Sequence, residues 1–261
     1  MRKMNVLMTN DDGYEAPGIK ALASAISEFA RITVVAPDRE RSSCSGALTL
    51  REYISLKEQP SYGANIQVFS CGGMTADCCK IAIEGLLVND KPDLILSGAN
   101  RGYNIGTDCL YSGTVAGAME GCVFGIPSMA VSLERINPEH FLLRACKFTV
   151  ELVKEIFVKN QYKGTLNLNI PYMEQLTLNK LKLVDLGLHR YKNAIKVITD
   201  TDGNQGYWIG GEPEIEIEPK NTDIYWIHRN KVTLTPLGWD MTAYNEQKII
   251  HNIVKNHVDE F

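Results

Sequence analysis

Adjacent carboxylates at Asp11 and Asp12 follow the apolar run Val6-Leu7-Met8 and stand directly before Gly13. An acidic pair where a strand gives way to a turn can hold a hard cation or present a nucleophile. Ser42 and Ser43 fall at a comparable place, in the polar loop after Ile32-Thr33-Val34-Val35. Asn100 lies just past the buried-strand pattern Asp93-Leu94-Ile95-Leu96-Ser97. In open α/β sheets, ligands bind beyond the carboxyl ends of the strands. Three strand ends thus offer two carboxylates, hydroxyls and an amide oxygen, an all-oxygen set that suits Mg²⁺ or Mn²⁺ rather than zinc. The five histidines (140, 189, 228, 251, 257) are scattered and none falls in these motifs. Taken singly, Asp11-Asp12-Gly13 reads as a capped turn, Ser42-Ser43 as loop hydroxyls and Asn100 as a turn residue. Their coincidence at separate strand ends is what carries the metal reading.

A second constellation follows. The polar, Gly-rich stretch Ser97 to Gly106 leads to Ser112-Gly113-Thr114 at the start of a helix of small residues. Glycine lets backbone approach a ligand closely, and the free N–H groups of a helix start bind anions. Ser112 and Thr114 add hydroxyls and Arg101 a charge-assisted donor. Alone, this is a structural helix cap; beside a divalent cation, it is a phosphate pocket. Two other patterns carry no site. Asp200-Thr201-Asp202-Gly203-Asn204 has Gln205 and Gly211 where a calcium loop needs Gly and Glu, so it reads as a hairpin turn. Tyr207, Trp208, Tyr225 and Trp226 are assigned to sheet packing or a subunit interface rather than to base stacking.

The elements that must position these groups alternate between strand and helix. Ile19, Leu22, Ala23, Ile26 and Phe29 recur at helical spacing behind Pro17. A hairpin arm is expected over Leu48 to Leu56, and a helix from a Thr75 cap to about Val88. Further helices are expected over Thr114–Val123 and Pro138–Val158, with a strand at Ser128–Ser132 between them. This order argues for a mostly parallel sheet with helices on both faces. After residue 163 the pattern turns to ribbons. Thr165–Ile170 alternates cleanly, and Leu181–Leu183, Ile195–Ile198, Tyr207–Ile209, Ile215–Ile217 and Ile224–Trp226 read as strands before a terminal helix around Ile249–Val254. The expected division is an α/β body over 1–163 and a strand-rich part over 164–261 that completes the fold and mediates oligomerisation.

Composition narrows the partners. The chain has 261 residues, 44% hydrophobic and 22% charged, with 27 basic against 31 acidic side chains and a net charge of −4. At ~150 residues per domain this is one large domain or a domain with an appendage. No basic block is present to coat a nucleic-acid duplex or an anionic membrane. The first apolar stretch is too short for a secretory signal, and no run reaches bilayer-spanning length. Seven cysteines, an odd number without a CxxC spacing, suit reduced thiols in a cytoplasmic protein.

The motifs Thr9-Asn10-Asp11-Asp12-Gly13, Ala36-Pro37-Asp38-Arg39-Glu40-Arg41-Ser42, Ser97 through Gly106, and Tyr111-Ser112-Gly113-Thr114-Val115 resemble those of the survival protein E (SurE) family of nucleotidases. The resemblance is specific over residues 4–133 and looser afterwards, where it rests on Asn169-Ile170-Pro171, Tyr207-Trp208-Ile209-Gly210 and Thr233-Leu234-Thr235-Pro236-Leu237. Tyr103 stands where many members carry Pro or Ala. The resemblance implies a metal-dependent phosphomonoesterase acting on nucleoside 5′- and 3′-monophosphates. By position, Asp11, Asp12, Ser42 and Asn100 would hold the divalent metal. Asn104 and the Ser112-Gly113-Thr114 turn would line the phosphate site, with Asp11 and Asn104 as the catalytic residues. It further implies a homodimer or homotetramer with carboxy-terminal segments exchanged between subunits. Two rival readings remain at this point: a phosphatase forming a covalent phospho-aspartate, against which the adjacency of the two aspartates counts, and a non-catalytic Mg²⁺-dependent nucleotide-sensing module.

Overall fold

The computed structural model describes residues 3–135, 138–214 and 219–254. In chain order its strands are β1 (Met4–Thr9), β2 (Ala30–Pro37), β3 (Leu56–Gln59), β4 (Ile66–Cys71), β5 (Leu94–Arg101), β6 (Ser128–Leu133), β7 (Thr165–Ile170), β8 (Leu181–Leu183), β9 (Tyr191–Lys192), β10 (Ile195–Thr199), β11 (Gln205–Ile209), β12 (Glu212–Pro213) and β13 (Val232–Leu237). The helices are α1 (Pro17–Ile26), α2 (Thr75–Ile81), α3 (Gly113–Phe124), α4 (Glu139–Val153), α5 (Asp223–Ile227) and α6 (Tyr244–Val254). α2 and α4 each run on into a short π-helical stretch, Ala82–Leu86 and Lys154–Lys159.

Nine strands form one sheet in the order β3-β4-β2-β1-β5-β6-β7-β13-β8. The six from β4 to β7 are parallel to one another; β3 pairs antiparallel with β4 and β13 antiparallel with β7, while β8 runs parallel to β13. Period-two alternation divides the core. Val6 and Met8 of β1 face the layer built by α1 and α4, whereas Leu7 faces the layer of α2 and its π-helical extension. The mostly parallel sheet with helices on both faces is therefore present as expected. Chain order reverses across β1: β2 lies on one side and β5 on the other. Such a switch point opens a crevice at the carboxyl ends of the two central strands. The last residues of β1 and β5 are Thr9 and Arg101, so the crevice is rimmed by Asn10-Asp11-Asp12 and by the Asn100 segment.

Small residues let α3 lie close over this rim. A Cβ on Gly117 would fall 2.6 Å from Ser97 Oγ and 2.8 Å from Thr9 Cγ2. The first turn of α3 is thereby brought down onto the end of β1.

Several sequence expectations are corrected. Leu48–Leu50 is not a strand, because the Thr49 N–H is taken by both carboxylate oxygens of Asp77 at 3.1 Å instead of by a sheet neighbour. The hairpin is formed later, by β3 on β4. Thr75 does not cap α2: Met74 does, its N–H held by Asp77 Oδ2 at 2.9 Å. Ile224–Trp226 is helical, with Thr222 Oγ1 accepting the Tyr225 N–H at the cap and Ile224 and Ile227, one turn apart, buried together against Ile105. β4 and β13 were not anticipated. The expected strand at Ile215–Ile217 lies outside the described residues. The Asp202-Gly203 turn joins β10 to β11, with Asp200 Oδ1 accepting the N–H groups of Asp202 and Asn204 at 2.9 and 2.8 Å.

Candidate active site

The turn after β1 is fixed before any ligand is considered. The Asn10 side chain spans it, donating from Nδ2 to the Gly13 carbonyl at 2.9 Å and accepting the Gly13 N–H at 3.2 Å. Thr75 Oγ1 donates to the Asn10 carbonyl at 3.1 Å. The turn presents Asp11 inward, with only 4% of its surface exposed. Its carboxylate accepts the Thr114 hydroxyl, and the backbone of Gly113 and Thr114 at the start of α3 lies where it favours the carboxylate charge. Gly113 is required at that contact, since a Cβ there would sit 2.7 Å from Asp11 Cβ. Burial raises the Asp11 carboxyl above its ordinary value while these groups pull it down.

Asp12 is pushed up to about 6, first by burial and then by repulsion from Asp11 and Glu40, with Arg101 opposing. Two adjacent carboxylates are thus held where their own charge is disfavoured. A proton relieves such a pair, and so would a bound divalent cation. Among the described residues no three His, Cys, Asp or Glu side chains gather in a metal-binding arrangement. A cation at Asp11 and Asp12 would complete its shell from hydroxyl, amide or water oxygens, which is the chemistry of Mg²⁺ or Mn²⁺.

The other predicted residues join this centre to different degrees. Ser42 lies in the exposed loop after β2 and donates to Glu40 Oε1 at 2.7 Å. The loop is tied to the acidic pair by the Arg41 N–H, which donates to the Asp11 carbonyl at 2.7 Å. Asn100 is half-buried at the end of β5, and its Nδ2 donates to the Gly102 carbonyl at 3.0 Å. Its neighbour Arg101 is the group that opposes the rise at Asp12. Ser112 caps α3, its Oγ accepting the Val115 N–H at 3.1 Å. The amino end of α3 therefore serves Asp11 first, through Gly113 and Thr114.

Asn104 belongs to a separate buried network. Its Nδ2 donates to Ser132 Oγ at 2.8 Å, its N–H to Asn169 Oδ1 at 2.8 Å, and its carbonyl accepts Nδ2 of Asn167 and Asn169 at 2.7 and 3.0 Å. Glu40, Ser132, Asn167 and Asn169 were not singled out from the sequence. The signal for the last two was there: Leu166, Leu168 and Ile170 fill the core, and the intervening asparagines make the other face of β7 polar. Tyr103 packs on the Ile105, Ile224 and Ile227 cluster, its hydroxyl raised by burial and then by Glu134.

The family model described as survival protein SurE matches residues 6–193, from the first strand to the start of the ribbons. That span contains every predicted site residue. The chain belongs to the SurE family. A curated relative from Moorella thermoacetica, 5′-nucleotidase SurE, is 40% identical over 246 residues, 94% of each chain. A second, the 5′-nucleotidase SurE of Synechococcus elongatus, is 39% identical and covers 93% of this chain and 96% of its own. The crystal structure of the SurE protein from Aquifex aeolicus superposes with a TM-score of 0.78 at 35% identity, covering 95% of this chain and 99% of the other. The SurE likeness therefore extends beyond the motifs to nearly the whole chain.

Proposed function

We propose that this SurE-family nucleotidase is a metal-dependent phosphomonoesterase that releases phosphate from nucleoside 5′- and 3′-monophosphates. The observation that carries the reading is the buried Asp11 carboxylate, clamped at the switch point by Gly113 and Thr114 with Asp12 beside it. The relatives' names supply the 5′-nucleotidase activity. Asp11, Asp12, Ser42 and Asn100 would hold the divalent cation. When bound, such a cation supplies Lewis-acid polarisation of the phosphoryl group and water activation near neutral pH.

The chain's own residues do the rest. Asp11 and Asp12 set the position of positive charge in the crevice. Thr114 fixes Asp11, and with the start of α3 it offsets part of the burial that disfavours its charge. Ser112, the turn at Gly113-Thr114 and Asn104 line the phosphate and face the charge that develops on it, aided by the positive end of α3. Ser132, Asn167 and Asn169 hold Asn104 so that it need not reorganise during reaction.

The same reading places the protein in the cytoplasm and makes it a homodimer or homotetramer. All seven cysteines are free thiols, four of them buried, which suits a reducing compartment. No helix among the described residues is long and apolar enough to cross a membrane. Tyr207, Trp208 and Ile209 on β11 are 71%, 63% and 80% exposed, a surface that self-association would cover.

The test is phosphate release from 5′- and 3′-nucleoside monophosphates with Mg²⁺, Mn²⁺ or chelator, beside Asp11→Asn. Metal-dependent release, lost in the variant, is expected. Release that persists in chelator would overturn the metal dependence, and a trapped phospho-aspartate would replace direct hydrolysis with a covalent route. No release from folded protein would leave a nucleotide-sensing module.

A further inference from the structure

Between Asn104 and Ser112 the chain makes a single 3₁₀ turn, Gly106–Leu110. Residues from the strand-rich carboxy-terminal part hold this turn at three successive positions. The Gly106 N–H donates to Asp223 Oδ2 at 2.7 Å, and Thr107 Oγ1 donates to the His189 carbonyl at 2.8 Å. Asp108 Oδ2 receives two groups at once, His189 Nδ1 at 2.8 Å and the Tyr191 hydroxyl at 2.6 Å.

The His189 side chain is only 7% exposed and its ring lies 4.7 Å from that of Tyr191, centre to centre. Its other nitrogen, Nε2, is buried without a hydrogen-bond partner among the described residues. An apolar side chain would fill the same space without that cost. The polar contribution of the ring is therefore its Nδ1 contact with Asp108. Tyr191 is a lasting donor to the same oxygen, since burial and then the Asp108 carboxylate raise its hydroxyl well above the ordinary tyrosine value.

Asp108 is placed to pass this constraint in both directions. Its N–H donates to the Ile105 carbonyl at 3.1 Å, next to Asn104, and its carbonyl accepts the Tyr111 N–H at 3.0 Å, next to Ser112. Cys109 Sγ adds a contact of 3.4 Å to the Asn104 carbonyl. We propose that Asp108 and His189, with Tyr191, are positioning residues for the nucleotidase reaction: by fixing the 3₁₀ turn from the carboxy-terminal part, they set the spacing between Asn104 and the Ser112-Gly113-Thr114 turn. The inference rests on the phosphate-site reading above. Misplacing a reacting constellation by about 1 Å costs up to ~100-fold in rate, so the effect belongs in kcat.

The experiment compares kcat, KM and thermal stability of wild type, His189→Asn and His189→Leu on a nucleoside 5′-monophosphate with Mg²⁺ or Mn²⁺. Asn and Leu are similar in size, but only Asn carries a donor where Nδ1 stands. His189→Leu is expected to lose about 10- to 100-fold in kcat with a much smaller change in KM, and His189→Asn to recover most of it. Equal kcat in the two folded variants would overturn the positioning role while leaving the nucleotidase reading intact. Should the Leu variant not fold, Tyr191→Phe removes one of the two groups on Asp108 from a partly exposed residue; a kcat equal to wild type would likewise overturn it. A wild type that releases no phosphate from any nucleotide would overturn the nucleotidase reading itself, and this inference with it.

Discussion

Thr114 shows how much one hydroxyl can carry at the scale of a residue. It is fully buried, and its Oγ1 donates to a carboxylate that is itself almost wholly out of water. A buried carboxylate deprived of a donor loses a charge-assisted hydrogen bond, worth about 1.5–3 kcal/mol. Thr114→Val keeps the shape of the side chain and removes only that donor. It is expected to lose roughly that much stability, measured by urea unfolding, and to lower kcat by at least about tenfold. Thr114→Ser, which keeps the hydroxyl, is expected to remain near wild type. The paired variants separate the hydroxyl from the methyl, so a Ser variant as impaired as Val would show that packing dominates.

At the scale of elements, β7 does two jobs with its two faces. Leu166, Leu168 and Ile170 join the core shared with α1 and α4, while Asn167 and Asn169 hold both backbone groups of Asn104. Replacing Asn169 by Leu would leave the Asn104 N–H buried without its acceptor, at a cost of about 1–3 kcal/mol. The expected result is a folded, less stable protein whose kcat falls more than its KM rises, because Asn104 keeps its side chain but loses its fixed position. Steady-state kinetics beside thermal unfolding checks this; unchanged kcat in a destabilised variant would confine β7 to a structural role. Such alternation was legible in the sequence as a strand. Its function was not, because the partner of the polar face lies more than sixty residues away, on the loop after β5.

For the molecule as a whole, the ribbon of β10 and β11 stands apart from the nine-stranded sheet as its own two-stranded unit. Ile195, Val197 and Ile198 on one strand and Tyr207, Trp208 and Ile209 on the other are all about half exposed or more. An isolated two-stranded ribbon is marginally stable in water, and an apolar one gains most by burial against another copy. Ile209→Lys, at the most exposed of these residues, is expected to shift the protein toward monomer in sedimentation or light scattering without unfolding the α/β body. An unchanged mass would direct attention to the apolar side chains of α6, where Ile249, Ile250 and Ile253 are also exposed.

By itself the sequence determined the α/β architecture, because strand and helix periodicities are local and turn chemistry at Asn10 to Gly13 and at Ser112 to Thr114 is written in adjacent residues. It also determined the candidate set Asp11, Asp12, Ser42, Asn100, Asn104 and the α3 turn, because these residue types stand at strand ends and match the family's motifs. Whether Leu48–Leu50 and Ile224–Trp226 would pair as strands was not local. Asp77 decided the first by taking the Thr49 N–H, and packing of Ile224 and Ile227 on Ile105 decided the second. Only the tertiary structure revealed that Gly113 packs on Asp11 and the Thr114 hydroxyl is spent on it, that Asn104 is held by β7, and that Asp108 is gripped by His189 and Tyr191. These are contacts across 63 to 103 residues of chain, made when the sheet forms and brings its strand ends and loops together.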